Sequence, residues 1–479
     1  MIIRATEGNK ADTWLLHIIR SQNKQKIKTG GFYTIVDYPY SQWCKTQHFI
    51  AVKMTLLMSD FFNKCKPCHV FLHKHGLPPK FTGLLLDGDN AMPYRLMPRN
   101  SASHPLLRRF SAAPHWLLLS ATLLFSSQLL AAEPKVTELQ DKLDHPWSLA
   151  FLPEDQGILI TERAGNLRLW KAGSALSAPI AGVPKVFAKS QGGLLEVALS
   201  PDFAQNRRIY LSFAEEGSEG KAGTAVGYGK LSEDNKRLEN FTVFFRQEPK
   251  LSTGNHFGGK LAFDRQGHLF IALGENNERP TAQDLDKLQG KIVRLTAEGK
   301  VPADNPFVNT PNARPEIWSY GHRNPQGLAI NPWSGVLWEN EHGPKGGDEI
   351  NIPKAGENYG WPIATHGINY SGLKIPEAKG KEIAGMVNPD FYWEKSPGIS
   401  GMAFYNSDRF PQWKNSVFIG ALAEKNLIRL TLDGDKVASQ ERLLGDRGER
   451  IRDVRLGPDG YLYLLTDHDN GKLLKVGLE

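Results

Sequence analysis

Residues 133–479 predict an all-β fold, a six-bladed β-propeller, and three observations carry the prediction. A two-strand cassette recurs six times along this stretch. Its starts are spaced at intervals of roughly 50 to 75 residues, which fits one four-stranded sheet per repeat with insertions. Helical periodicity is scarce, while Gly, Pro, Asp and Asn punctuate the apolar runs. A lone hairpin cannot bury its faces, whereas sheets stacked around an axis bury one another's. Two β-sandwich domains are the alternative arrangement of the same strands.

The cassettes follow in order. SLAFLPEDQGILITE begins at Ser148 and EVALSPDFAQNRRIYLSF at Glu196. LAFDRQGHLFIALGE begins at Leu261 and LAINPWSGVLWENE at Leu328. MAFYNSDRFPQWKNSVFIGAL begins at Met402 and VRLGPDGYLYLLTD at Val454. In each, an apolar run meets a turn and a second apolar run, the pattern of two strands joined by a short connection. The strongest helix candidate, Thr281–Gly290, is short and falls between cassettes. In a closed ring the loops at one end of every sheet meet over a central channel, which is where scaffolded sites are built.

The part before residue 133 is of a different kind. The chain carries a net charge of +7, but residues 1–132 hold 16 Lys and Arg against 6 Asp and Glu, and residues 133–479 hold 42 against 45. The globular part therefore gives no charge argument for nucleic acid. Arg108 and Arg109 precede an apolar run, Trp116 to Ala132, that ends in small residues. This is the pattern of a secretory signal, placed at 97–132 if translation starts at Met97. Residues 1–96 are then an over-extended reading frame, a non-native or disordered extension. An uncleaved anchor and a buried helix are the other readings of the run, which is short for a span of about 20 residues.

Cys44, Cys65 and Cys68 all precede the signal, so the exported chain uses no disulfides. Cys65-Lys-Pro-Cys68-His69 has the spacing of a haem c attachment site, but it lies on the side that is not exported.

Four segments carry chemistry. GNHFGGK, from Gly254, places His256 at a loop–strand junction before the third cassette. Free imidazole has a pKa of about 6.5, suited to a general base, although a surface or hydrogen-bonded structural His is the commoner reading of any single His. Arg323-Asn324 precedes the fourth cassette, where a planar guanidinium suits carboxylate or quinone oxygens, or a salt bridge. In Arg450-Ile-Arg452 alternation puts both guanidinium groups on one face, where they repel unless something anionic sits between them, or where they are simply solvated at a blade edge. EHGPKGGDE, from Glu341, offers the carbonyls of Gly343 and Pro344 and the carboxylates of Asp348 and Glu349, the mixed oxygen set that Ca²⁺ accepts.

Taken together and in this order, LSTGNHFGGKLAF, SYGHRNPQG, EHGPKGGDEINIPKAGENYGWP and RIRDVRLGPDGYLYLLTD resemble the soluble quinoprotein glucose/sorbosone dehydrogenase family, and within it the periplasmic aldose sugar dehydrogenases. The resemblance runs from about Asp144 to the C-terminus and does not cover residues 1–132. It implies a six-bladed propeller that binds pyrroloquinoline quinone (PQQ) and Ca²⁺ at the channel mouth and oxidises aldoses at C1 to lactones. By that resemblance His256 is the general base, with hydride passing to the C5 carbonyl carbon of PQQ. Asp348 orients the imidazole, and Arg323 stabilises charge on the quinone oxygen. Gln191, Asn324, Arg450 and Arg452 bind the cofactor. Gly343 and Pro344 ligate the catalytic Ca²⁺, and Glu349 with the Tyr359 carbonyl matches a second, structural calcium site.

Two positions depart from the family pattern: Ala423 stands where a cofactor-contacting Lys is usual, with Lys425 nearby, and Asn255 stands where the glucose-specific branch has Asp. The implied partners are an aldose and an unidentified electron acceptor, with a periplasmic location and no stable membrane insertion after cleavage. A calcium-dependent lactone hydrolase and a non-enzymatic binding propeller are the competing readings.

Overall fold

The computed structural model describes residues 133–478 throughout and, before them, four short strands between residues 2 and 35. The chain divides into two compact units, residues 1–112 and 113–479. In the first, Ile2–Glu7 pairs with Trp14–Ile19 and Lys26–Thr29 with Phe32–Ile35. The export segment 97–132 and the Cys65-Cys68-His69 motif lie outside the described residues.

The second unit is a six-bladed β-propeller. The first blade is Pro146–Leu152, Gly157–Glu162 and Asn166–Trp170. The second runs Leu194–Leu199, Arg208–Glu216, Ala222–Leu231 and Leu238–Arg246. The third, fourth and fifth begin with Gly258–Phe263, Pro325–Ile330 and Ile399–Tyr405, and each adds three antiparallel strands outward. The sixth takes Ile451–Leu456, Leu462–Thr466 and Gly471–Gly477 from the end of the chain and Lys135–Leu143, the strand that precedes the first blade. Each cassette read from the sequence is the inner pair of strands of one blade.

Strand periodicity explains the packing. Alternate side chains point to opposite faces of a sheet, so each blade feeds two neighbours. In the second blade Ile209 and Leu211 pack with Leu159 and Leu167 of the first, while Tyr210 between them packs with Leu261 and Ile271 of the third. The same logic gives one apolar core at each blade–blade boundary. Phe270 meets Leu328 between the third and fourth, Trp338 meets Ile399 between the fourth and fifth, and Tyr405 meets Leu462 between the fifth and sixth. Leu465 and Leu473 meet Leu149 and Ile160 where the ring closes. Each fully buried Leu, Ile or Phe in these layers contributes about 1.5–3 kcal/mol over its exposed state.

The helix expected at Thr281–Gly290 is absent; a short 3₁₀ turn, Arg279–Gln283, takes its place. The fully buried Lys291 accounts for this. Its ammonium donates to the carbonyls of Thr281, Ala282 and Gln289 at 3.0, 3.1 and 2.6 Å. Those carbonyls are turned inward toward one cation instead of along a helix axis.

Candidate active site at the channel mouth

Four blades close their inner hairpin with the same bond. The N–H of the residue after the second strand donates to the carbonyl of the residue before the first: Arg163 to His145 (3.2 Å), His342 to Asn324 (3.3 Å), Leu422 to Gly398 (2.7 Å) and Asp467 to Arg450 (2.8 Å). In the second blade a similar bond, Ala214 to Gly193 (2.9 Å), falls inside the second strand. The positions joined in the other four blades lie just beyond the ladders, so the backbone fixes them while their side chains remain available. A cleft of about 760 Å³ opens among them. Arg163, Asn324, His342, Gly398, Leu422, Arg450 and Asp467 line it, together with Gln191, Gly343, Pro344, Asp348, Ala423 and Arg452.

His256 stands beside this cleft. It has a left-handed backbone (φ 53°) and precedes the first strand of the third blade. Its N–H donates to Gln191 Oε1 at 2.9 Å, and Asn276 Nδ2 donates to its carbonyl at 2.9 Å. The Nδ1 atom lies 2.6 Å from Glu275 Oε2, with Glu275 1 % exposed. The pairing follows from register. Gly258 pairs with Leu273, and two steps outward on each strand set residue 256 opposite residue 275.

The expected contact between Asp348 and His256 is not made. Asp348 opens the third strand of the fourth blade, and its carboxylate accepts the N–H groups of Gly343 (3.0 Å), Gly398 (2.8 Å) and Ile399 (3.1 Å). Burial raises its pKa, and these hydrogen bonds oppose the rise. Its place in the fourth blade directs it to the Gly343 loop and the entry of the fifth blade, so it holds that loop. Sequence reasoning missed Glu275, which comes opposite His256 only through a one-residue register shift between Gly258 and Leu261.

The Gly343 loop presents cation-binding groups. Arg323 Nη1 donates to the carbonyls of His342 and Gly343 at 3.0 and 2.8 Å, so the Gly343 carbonyl already faces a positive charge. The guanidinium lies over Trp361, 5.3 Å from the ring centroid, and its buried Nε has no partner among the described residues. Arg323 lines a second, smaller cavity with Glu341, Gly343, Glu349 and Tyr359, so the structure separates it from Asn324, which lines the cleft. Burial and the Glu341 carboxylate raise the Glu349 pKa well above the usual range. Clustered oxygens of this kind suit a cation. His342 is buried near Arg323 and Arg452, and its pKa falls to about 3, which keeps the imidazole neutral.

On the opposite wall Arg450 Nη2 and Arg452 Nη2 share Asp467 Oδ2 at 2.7 and 3.4 Å. The anion required between these two cations is thus supplied by the chain itself. His145 Nδ1 adds a third contact at 3.3 Å. Burial alone would raise the Asp467 pKa, but the Arg452 and Arg450 guanidiniums hold it well below the usual range. Ala423 lines the cleft, whereas Lys425 is exposed and outside the lining. Asn255, half-buried, accepts from Ser190 Oγ at 2.8 Å.

Comparison with known proteins agrees with this arrangement. The family model described as "Glucose / Sorbosone dehydrogenase" matches residues 143–475. An aldose sugar dehydrogenase from Escherichia coli, YliI, is 67 % identical over 353 residues, covering 73 % of this chain and 95 % of the relative. The solved apo-form of the soluble Escherichia coli aldose sugar dehydrogenase superposes with a TM-score of 0.72 at 66 % identity, covering 72 % of this chain and all of that one (100 %). The PQQ-bound form of an aldose sugar dehydrogenase from Streptomyces coelicolor gives a TM-score of 0.58 at 29 % identity, covering 72 % of this chain and 99 % of that one. With this propeller and this cleft, the chain belongs to the glucose/sorbosone dehydrogenase family and is an oxidoreductase acting on sugars.

Proposed function

We propose that the protein oxidises aldoses at C1 to lactones with PQQ and Ca²⁺ in the channel-mouth cleft. The observation that carries the reading is the His256–Glu275 pair set beside an arginine-lined cleft. Both groups fit. The guanidiniums of Arg450 and Arg452 match the carboxylates of PQQ. The Gly343 carbonyl faces a cation already, and Pro344 next to it lines the cleft. Bound there, PQQ supplies the hydride acceptor and Ca²⁺ the Lewis acid that polarises it.

The chain's own residues do the rest. His256 takes the proton of the anomeric hydroxyl as the C1–H bond gives up its electron pair. Glu275 fixes the ring through Nδ1 and stabilises the imidazolium that forms. Gln191 anchors the His256 backbone, and Asn324 and Arg452 present donors to the cofactor. Arg323 supplies positive charge from behind the Gly343 loop. Asp348 keeps that loop in shape. Glu349 and the Tyr359 carbonyl are the candidate ligands of a second, structural calcium in the smaller cavity. The reading extends to export through residues 97–132, action in the periplasm and delivery of electrons to an unidentified acceptor. A calcium-dependent hydrolase would need several side-chain carboxylates on the metal, and Asp348, which lines the cleft, is already committed to three backbone N–H groups.

The test is titration of the purified protein with PQQ and Ca²⁺, followed by a dye-linked assay on an aldose panel. Activity should appear only when both are added, and His256→Ala should lose about 10²- to 10⁴-fold of it. Full activity in His256→Ala would sink the mechanism.

A further inference from the structure

Arg163 occupies in the first blade the position held by His342 in the fourth, Leu422 in the fifth and Asp467 in the sixth. It is the residue after the second strand, its N–H tied to the residue before the first, and its side chain lines the cleft. Among the described residues its guanidinium has no hydrogen-bond or ion-pair partner. Gly193 packs against it closely. A Cβ at Gly193 would fall 2.0 Å from the Arg163 carbonyl oxygen and 2.6 Å from its Cγ, so the base of the side chain is confined.

The charges of the cleft make this position informative. Arg450 and Arg452 share one carboxylate, Asp467, so their two positive charges are already half neutralised. Arg163 lies close enough to Arg452 to repel it and has no anion of its own. An unpaired guanidinium beside two others is free to engage an anionic ligand that enters the cleft. PQQ carries three carboxylates, more than the Arg450–Arg452 pair can engage while Asp467 remains between them.

We propose that Arg163 is a further cofactor-binding residue and takes a carboxylate of PQQ. The inference rests on the reading that this cleft binds PQQ. It assigns the first blade a direct part in cofactor recognition, alongside the sixth. Charge-assisted hydrogen bonding from Arg163 then sets affinity, and salt weakens binding more in the wild type than in a protein lacking this charge.

The experiment is titration with PQQ at saturating Ca²⁺, read by quenching of intrinsic tryptophan fluorescence, since Trp147 lines the same cleft. Wild type, Arg163→Ala and Arg163→Lys are compared at low and high salt, and near-ultraviolet circular dichroism reports folding. Arg163→Ala should bind PQQ about ten- to a hundredfold more weakly and with a shallower salt dependence, and Arg163→Lys should recover part of the loss. Equal PQQ affinity in wild type and Arg163→Ala overturns the proposal, as does an unchanged affinity accompanied by a raised KM for the aldose. If Arg163→Ala does not fold, Arg163→Lys decides alone, and wild-type affinity and salt dependence in that variant overturn the proposal. A wild type that does not bind PQQ overturns the reading of the cleft and this inference with it.

Discussion

Two clusters of charge sit on the inner strands of this ring, and they are built on opposite plans. Deep in the channel, Lys260 of the third blade contacts Glu196 of the second at 2.9 Å and Asp453 of the sixth at 2.8 Å. Arg455 contacts the same two carboxylates, Asp453 at 2.9 Å. Two cations meet two anions, and Lys260, Glu196 and Asp453 are all buried. At the mouth, Arg450 and Arg452 share one carboxylate, Asp467, and Arg163 lines the same cleft without an ion pair among the described residues. A buried charge must be compensated to be tolerated. Internal compensation in the channel makes that cluster a cross-brace between three blades. Excess positive charge at the mouth fits the anionic cofactor proposed for it.

Breaking the channel cluster should have the largest effect on stability. Lys260→Met leaves Glu196 and Asp453 with Arg455 alone and should cost about 3–5 kcal/mol, measured by urea unfolding. PQQ affinity should stay within about threefold, because this charge is not spent on ligand. A large loss of affinity with little loss of stability would erase the distinction between the two clusters.

Glu275→Gln sharpens the comparison with a pair that is buried, matched and yet placed at the mouth. It keeps an acceptor for His256 Nδ1 but cannot balance an imidazolium. A fall of about a hundredfold or more in kcat at unchanged PQQ affinity is expected. A change confined to the melting temperature would make the pair structural.

The smallest effect belongs to Asp467→Asn, about 1–3 kcal/mol of unfolding free energy at neutral pH. Asp467 has its pKa held below the unfolded value of about 3.9, so its contribution is complete above that value. It disappears as the pH falls through the folded pKa. The gap between wild type and Asp467→Asn should therefore be constant between about pH 5 and 8 and close in strong acid. A gap that widens toward acid would mean that Asp467 is not held in its charged form by the arginines.

The strands were legible because alternation and turn residues are local signals, and every cassette fell on an inner hairpin. Thr281–Gly290 was misread as a helix because its carbonyls answer to the buried ammonium of Lys291, a partner that local pattern does not reveal. Within the site, Gln191, Asn324, Arg450, Arg452, Gly343 and Pro344 line one cleft. Asp348 was read as the partner of His256, which in the structure is Glu275, because an acid in the Gly-rich EHGPKGGDE loop is conspicuous, while one in LGEN after a strand is not. Blade membership separates them, since His256 and Glu275 extend one hairpin and Asp348 belongs to another blade. Asp467 and Arg163 escaped notice because their importance lies in a position repeated around the ring.

The strand Lys135–Leu143 pairs with Gly471–Gly477, joining segments more than three hundred residues apart into one sheet. This clasp has a consequence for the order in which the protein can be completed. A chain that emerges amino end first presents that strand long before its partner exists, so the strand stays an open edge until the last hairpin arrives. Pairing across so long a separation is slow, because the intervening loop must first be ordered. The first and sixth blades then become the last surfaces to meet. Arg163 comes from one and the Arg450–Arg452 pair from the other, so the complete mouth forms only when the final strand is seated.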